Sequence, residues 1–201
     1  MSDSREFESG AACEPTGEVA VLAGIQSALG TPAVLTGARA MSHFGEHAAG
    51  WLALSGVGAL FAPRRRRDWL LVGLGAVLAH AAAIGIKIAV RRRRPHHPGI
   101  AVNVGTPSSL SFPSAHATSS TAAAMLLCRA TRSPLPLAVV PLMALSRLVL
   151  GVHYPSDVLA GIAVGAAVAR VTAQLSGEKP GDTLGDKGAT GSSGKDADGH
   201  E

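Results

Sequence analysis

Residues 69–90 read WLLVGLGAVLAHAAAIGIKIAV, an apolar run whose only ionisable side chains are those of His80 and Lys87. A helix needs about 20 apolar residues to cross the hydrocarbon core of a bilayer. This run is therefore long enough to span a membrane. The chain as a whole agrees, because 47% of its residues are hydrophobic and only 16% are charged, which is unusual for a soluble domain.

Other apolar segments lie on both sides of this run and are separated by short polar or proline-containing breaks. We predict spans at residues 19–40, 48–62, 115–130, 135–150 and 156–175. Several of these segments are rich in Ala, Gly and Ser, which suits helices that pack closely against one another. The sequence thus predicts an all-α integral membrane bundle of about six transmembrane helices.

The two ends of the chain differ from the apolar middle. Residues 1–17 are acidic and polar and do not resemble a secretory signal peptide. Residues 176–201 are rich in Gly, Ser, Asp and Lys, so they have too little apolar surface to offset the entropy lost on ordering. We predict a disordered cytosolic N-terminus, a membrane domain over residues 18–175, and a disordered cytosolic tail.

The arginine runs predict the orientation of the bundle, because short cytosolic loops carry an excess of Arg and Lys. With the N-terminus inside, residues 64–67, residues 128–133 and the tail all fall on the cytosolic side, so both termini of this multi-pass cell-membrane protein are cytosolic. Residues 91–94, also four arginines, then fall outside. They break the rule unless they have a local role there.

Charge and cysteine content exclude several classes of function. The net charge of +4 comes largely from the two arginine runs, so it does not indicate a nucleic-acid-binding surface. Cys13 and Cys128 have neither metal-ligand nor disulfide-framework spacing. The sequence contains no acidic cluster for magnesium and no glycine-rich nucleotide loop, so we expect neither a metal nor another cofactor.

Three short stretches on the predicted outer side carry candidate site residues. In KIAVRRRRP, Lys87 and Arg94 are seven residues apart, so they share one face if the helix continues to Pro95. In FPSAH, Ser114 is placed to cap a helix whose free N–H groups would bind an anion beside His116.

The third stretch is SRLVLGVHYPSD. Arg147 closes an apolar helix, and His153 precedes Asp157 by four residues, so the carboxylate can orient the imidazole if a helix begins near Pro155. Together the three stretches supply cations, a helix N-terminus, two histidines and a paired aspartate. Phosphoryl transfer without a metal needs this set, namely fixed positive charge, a nucleophile and an acid.

The order and spacing of these residues resemble the type 2 phosphatidic acid phosphatase family, the membrane lipid phosphatases whose superfamily includes the vanadium haloperoxidases. The pattern K-x6-RP, PSxH and SR-x5-H-x3-D falls on Lys87, Arg94, Pro95, Pro113, Ser114, His116, Ser146, Arg147, His153 and Asp157. The resemblance covers about 70 residues, and the six-helix core that it implies covers most of the chain.

The resemblance implies a role for each matching residue. His153 would attack phosphorus and form a phosphohistidine, Asp157 would orient its ring, and His116 would protonate the leaving oxygen and later activate water. The phosphate oxygens would be held by Lys87, Arg94, Arg147 and Ser114. One departure is that Ala115 stands where the family usually has glycine, which would slightly crowd the approach of the phosphate.

Other residues near these motifs have simpler interpretations. We interpret Arg91, Arg92 and Arg93 as lipid-headgroup contacts. His80 is interpreted as an interior histidine, and His96 and His97 as loop residues. For Ser146, a supporting hydrogen bond to the site and simple packing are both open.

The sequence therefore predicts a metal-independent membrane lipid phosphatase with its active site at the outer membrane interface. Candidate substrates are a polyprenyl phosphate or diphosphate, a polyprenyl-phospho-sugar phosphate of the cell envelope, phosphatidic acid or phosphatidylglycerol phosphate. Membrane lipids are the other expected partners. Two alternatives stay open, a vanadate-dependent peroxidase and a non-catalytic protein that binds anionic lipid through its arginines.

Overall fold

The structure, a computed structural model, describes residues 16–175. These residues form an all-helical bundle, as predicted, and the only bridge between extended segments within them joins Arg93 to Leu110. Residues 1–15 and the predicted tail at 176–201 lie outside the described part of the chain. The helices are α1 (Gly17–Leu29), α2 (Pro32–Gly45), α3 (Ala49–Phe61), α4 (Arg66–Val90), α5 (Ala115–Thr131), α6 (Val139–Val149) and α7 (Pro155–Leu175).

Helix α5 lies at the centre of the bundle and is buried along most of its length. Its neighbours approach closely because small residues face it. A methyl group added at Gly165 of α7 would lie 2.3 Å from the carbonyl oxygen of Thr118, and one added at Gly75 of α4 would lie 2.2 Å from Cδ1 of Leu126. The glycine-rich segments thus form helix-packing surfaces, as the sequence predicts.

Different connecting segments meet at the two ends of the bundle. Helices α4 to α7 run alternately up and down, so the segments at residues 91–114 and 150–154 meet at one end, which we call the site end. The arginine-rich turns near residues 63–67 and 128–134 meet at the other end, where Nη1 of Arg65 donates to the carbonyl of Ala130 over 3.0 Å.

The predicted first span at residues 19–40 is wrong. Helix α1 ends at Leu29 and is bent by 116° from the following helical segment, Pro32–Phe61. Thr31 accepts a hydrogen bond from the N–H of Val34, and Pro32 occupies the first turn of α2, so the new helix begins there in a different direction.

Helix α1 lies across the site end. Glu18 in its first turn contacts Arg92, and Gln26 in its last turn donates to the carbonyls of Ala101 and Val149 over 2.7 and 3.0 Å. The two ends of the described chain, Thr16 and Leu175, therefore lie at opposite ends of the bundle. The prediction that both termini are cytosolic concerns residues 1–15 and 176–201, which lie outside the described part of the chain.

The count of six transmembrane helices is not confirmed. By length and composition, two helical segments are able to cross a membrane, Pro63–Val90 and Pro155–Leu175. The bent pair of Gly17–Leu29 with Pro32–Phe61 adds a third if it is counted as one span. The remaining helices of the described residues are shorter or less apolar than a membrane-spanning helix needs to be.

Candidate active site

Lys87 lies in the last turn of α4, and its side chain is buried. Its ammonium group donates to the carbonyl oxygens of Leu110, Ser111 and Pro113 over 3.3, 3.1 and 2.8 Å. The cation is therefore fixed against the segment that leads into α5. Snorkelling to the membrane surface, the simplest role for a lysine near a helix end, does not describe this residue.

Arg94 reaches the site from an extended segment. Helix α4 ends at Val90, and Arg91 follows with a left-handed φ of 54°, so the predicted continuous helix from Lys87 to Pro95 is wrong. The Arg94 guanidinium donates to the carbonyls of Ser108 and Val152 over 2.8 and 2.7 Å. Burial lowers its pKa to about 10, so it remains a cation at neutral pH.

Ser114 and His116 begin α5 as the sequence predicts. The Ser114 hydroxyl accepts from the N–H of Ala117 over 3.4 Å, and its own N–H donates to the carbonyl of Asp157 over 2.9 Å. This second bond joins the start of α5 to the start of α7. The half-buried His116 ring has Nε2 3.0 Å from the carbonyl oxygen of Ser42, and since a carbonyl only accepts, Nε2 carries the proton.

Arg147 lies near the end of α6, and its exposed fraction is only 2%. Its Nη1 donates to the Ser42 hydroxyl over 3.2 Å, while Nε and Nη2 have no protein partner. Buried guanidinium N–H groups are normally satisfied, so this pair is well suited to an anion with two acceptor oxygens.

The Ser146 hydroxyl forms a hydrogen bond within its own helix and none to a residue of the site. Its hydroxyl donates to the carbonyl of Met143 in the preceding turn of its own helix over 2.7 Å. The residue lies on the face of α6 that is turned toward α2.

His153 and Asp157 form the predicted pair. Helix α7 begins at Pro155, and the ring Nδ1 lies 3.7 Å from Oδ2 of Asp157. Both side chains are almost fully buried. The pKa of His153 is lowered to about 3, chiefly by burial and also by the charges of nearby cations, against the opposing effect of Asp157. The imidazole is therefore neutral at pH 7 and keeps a lone pair.

Arg92 belongs to this site, although the sequence assigns it to lipid headgroups. Its Nη1 lies 3.0 Å from Oδ1 of Asp157. The sequence could have indicated this role for Arg92. Side chains of an extended segment alternate in direction, so a helix that stops at Val90 places Arg92 and Arg94 on one face.

Ser42, which contacts both His116 and Arg147, was missed because no spacing links α2 to the motifs.

Four histidines of the described residues outside the candidate site fall into two pairs, His47 with His80 and His96 with His97. The rings of His80 and His47 are 5.9 Å apart between centroids, and Nδ1 of His80 is buried without a partner. His97 accepts from the N–H of Gly99 and, with His96, lines a cavity of about 420 Å³ in the segment at residues 91–114.

All seven predicted site residues thus lie at one end of the bundle. Arg94 and Asp157 lie against His153, and Ser42 joins His116 to Arg147. Three cations, a helix N-terminus and a neutral histidine converge there. Within residues 16–175, no three His, Cys, Asp or Glu side chains come together in a group able to hold a metal ion. The arrangement is able to bind a tetrahedral dianion next to a nitrogen nucleophile.

Comparisons with known proteins identify the family of this chain. Residues 68–180 match the family model of the PAP2 superfamily. A decaprenylphosphoryl-5-phosphoribose phosphatase of Mycolicibacterium smegmatis is 69% identical over 148 residues, which cover 73% of this chain and 82% of the relative. A Mycobacterium tuberculosis protein of the same description is 61% identical over 164 residues, covering 81% and 93% respectively.

A solved structure has the same fold. The crystal structure of a transmembrane PAP2-type phosphatidylglycerolphosphate phosphatase from Bacillus subtilis aligns with a TM-score of 0.63 and 22% sequence identity. The alignment covers 78% of this chain and 85% of that one.

Proposed function

This chain belongs to the PAP2 superfamily, and from that premise we propose that it removes the terminal phosphate of a polyprenyl-phospho-sugar phosphate through a phosphohistidine on His153. It is a membrane lipid phosphatase, a hydrolase of phosphoric ester bonds, of the polyprenyl phosphate type. The substrate we propose is decaprenylphosphoryl-5-phosphoribose, and the high identity to relatives with that substrate in their names supports it.

The observation that carries the mechanism is the pair of unpartnered N–H groups of the buried Arg147. We assign them to two oxygens of the phosphate, with Lys87 and Arg94 adding positive charge and Ser114 adding the N-terminus of α5. This set stabilises the charge of the transferring phosphoryl group where water is excluded.

The reaction runs in two steps. In the first step, Nε2 of His153 attacks phosphorus, the bond from phosphorus to the sugar oxygen breaks, and that oxygen takes the Nδ1 proton of His116. His116 enters this step as the imidazolium, protonated on both ring nitrogens and stabilised by the bound phosphate dianion, and leaves it as the neutral ring. In the second step, His116 takes a proton from water, the resulting hydroxide attacks phosphorus, and inorganic phosphate leaves His153. Because Nε2 of His116 is held by the Ser42 carbonyl, we assign Nδ1 as the nitrogen that exchanges protons.

An apolar groove between α2 and α6 suits the lipid part of the substrate. It has a volume of about 260 Å³ and is lined by Val34, Gly37, Ala38, Met41, Leu142, Leu145, Ser146 and Val149. Ser146 is adjacent to Arg147, so the groove begins beside the phosphate site. We propose that the polyprenyl chain lies in it.

We propose that the site end faces outside the cytosol. The arginine turns at the opposite end satisfy the positive-inside rule, whereas Lys87, Arg92 and Arg94 are bound within the protein. The helix directions support five crossings, with α2 and α3 together forming the first and α1 at the outer interface. Cysteine labelling tests this in a background of Cys13→Ser and Cys128→Ser. Thr16→Cys and His97→Cys should react from outside intact cells, and Arg132→Cys only after permeabilisation.

Phosphate release from a panel of purified lipids tests the substrate. Decaprenylphosphoryl-5-phosphoribose should be hydrolysed with a higher kcat/KM than decaprenyl phosphate, phosphatidic acid and phosphatidylglycerol phosphate, with activity retained in excess EDTA. A preference for phosphatidylglycerol phosphate would overturn the substrate assignment and leave the chemistry standing. Strict dependence on Mg²⁺ would overturn the mechanism.

A further inference from the structure

Arg92 connects α1 to the catalytic pair. Its Nη2 lies 2.6 Å from Oε2 of Glu18, and its Nη1 lies 2.6 Å from the Ser156 hydroxyl and 3.0 Å from Oδ1 of Asp157. The guanidinium carbon stands 4.1 Å above the ring centroid of Tyr154. One guanidinium therefore contacts two carboxylates from two helices, and the aromatic face fixes its plane.

Glu18 makes a second connection to α7. Its Oε1 accepts from the backbone N–H of Ser156 over 2.8 Å, in the first turn of that helix. A carboxylate is stabilised at this position by the free N–H groups and by the helix dipole. Glu18 thus binds both the guanidinium of Arg92 and the helix that carries Asp157.

Arg92 is the hydrogen-bond partner of one of the two carboxylate oxygens of Asp157. Oδ2 accepts from the N–H of Tyr154 over 2.8 Å and faces His153. Oδ1 is bonded to Arg92, and the side chain has no solvent exposure. If Arg92 were removed, this oxygen would lose its partner in a buried place, and the carboxylate would be free to turn or to take up a proton.

We propose that Arg92 is a positioning residue for the phosphatase reaction. It holds Asp157 so that His153 keeps the correct tautomer and orientation, and Glu18 of α1 holds Arg92. The inference rests on the proposed role of His153 as nucleophile. Glu18 precedes residues 68–180, which match the family model, so α1 adds a part to the site from outside the matched region.

The next arginine of the same run, Arg93, provides the matched control. The Arg93 side chain is exposed, and the residue is separated from Arg92 by a single peptide bond. Arg92→Gln should lower kcat about 10- to 100-fold with KM changed less than about twofold, because the substrate still meets its own ligands. Arg93→Gln should stay within about twofold of the parent in both constants.

Two further variants separate positioning from general structure. Arg92→Lys retains a positive charge beside Asp157 but cannot bind Asp157 and Glu18 through two separate nitrogens. It should therefore recover part of the kcat lost in Arg92→Gln. Glu18→Gln should lower kcat about 3- to 10-fold, and the double variant with Arg92→Gln should be no slower than Arg92→Gln alone, because Glu18 acts through Arg92.

The experiment measures steady-state constants and the rate of phosphoenzyme formation for detergent-purified variants of equal monodispersity. Equal losses for Arg92→Gln and Arg93→Gln, or a loss confined to KM, would overturn the inference and return Arg92 to lipid binding. If Arg92→Gln does not fold, full activity of the half-exposed Glu18→Gln would overturn it as well. An inactive parent protein would instead refute the proposed function.

Discussion

Nη1 of Arg94 lies 3.3 Å from Nε2 of His153. Because a guanidinium only donates, Nε2 must hold the lone pair, and the ring proton is then on Nδ1, which faces Asp157. The contact therefore selects the tautomer that a nucleophile needs. It also places a cation beside the nitrogen that would bond to phosphorus.

His153→Asn should remove turnover, because the amide has no nucleophilic nitrogen at this position. The parent protein, quenched in base during turnover of radiolabelled substrate, should carry phosphate on His153, and the variant should carry none. Substrate binding should survive, since Arg147, Lys87 and Arg94 are unchanged. A variant that still turns over would contradict the nucleophile assignment.

Arg147→Lys should lower kcat/KM about 10- to 100-fold although the charge is kept. Lysine cannot offer the paired Nε and Nη2 groups that are buried without a protein partner. The control is Arg170→Lys, an exposed change in the distal half of α7 that should have no effect. If both variants retain parental kcat/KM, Arg147 does not hold phosphate through its two N–H groups.

Gly45→Ala should slow the reaction by displacing His116. A methyl group at Gly45 would lie 2.8 Å from Cδ2 of His116 and 3.1 Å from Cε of Met143, so the ring must move. A shift of about 1 Å in a catalytic group is able to cost up to about 100-fold in rate. Gly56→Ala meets nothing within 4 Å and serves as the control. Equal kcat values for the two variants would show that the ring position has no effect.

The stability of the protein should fall in mild acid, in part because of His153. Its pKa is lowered from 6.5 to about 3, so between these values the unfolded chain binds a proton that the folded protein does not. The free energy of unfolding should therefore decrease as pH falls through this window, by up to about 1.4 kcal/mol per pH unit. Unfolding followed at pH 7 and 5 should show a smaller decrease for His153→Gln than for the exposed His96→Gln. Equal decreases would contradict the buried neutral state.

The motifs of the candidate site could be predicted from the sequence because their geometry is local. Ser114 caps a helix two residues before His116, and His153 and Asp157 are one turn apart at a helix start that Pro155 marks. These relationships depend on backbone geometry over a few residues. The structure therefore agrees with them.

The relationships that failed are those that cross between elements. The path of α1 depends on Glu18 and Gln26 finding partners more than 70 residues away, which hydropathy does not report. The role of Arg92 depends on whether α4 stops at Val90 or continues for one more turn, and a run of four arginines is compatible with both. The Thr31–Pro32 boundary could have separated α1 from α2, since cap and proline stand together there.

Filling the groove between α2 and α6 should affect only substrates with a long chain. Gly37 is exposed in this groove, and a methyl group added there meets nothing within 4 Å, so Gly37→Phe should fold while occupying the space of the polyprenyl chain. A loss of about 1.4 kcal/mol of apolar contact, less than two buried methylene groups, raises KM about tenfold. The decaprenyl substrate should show this increase, whereas a short-chain prenyl analogue should keep its parental kcat/KM because its phosphate site is intact.

Gly56→Phe, an equally open position on α3, controls for bulk in the membrane-facing surface. Loss of activity toward both substrates would mean that the change disturbs Arg147 or Ser42, and an unchanged KM for the decaprenyl substrate would place the chain elsewhere.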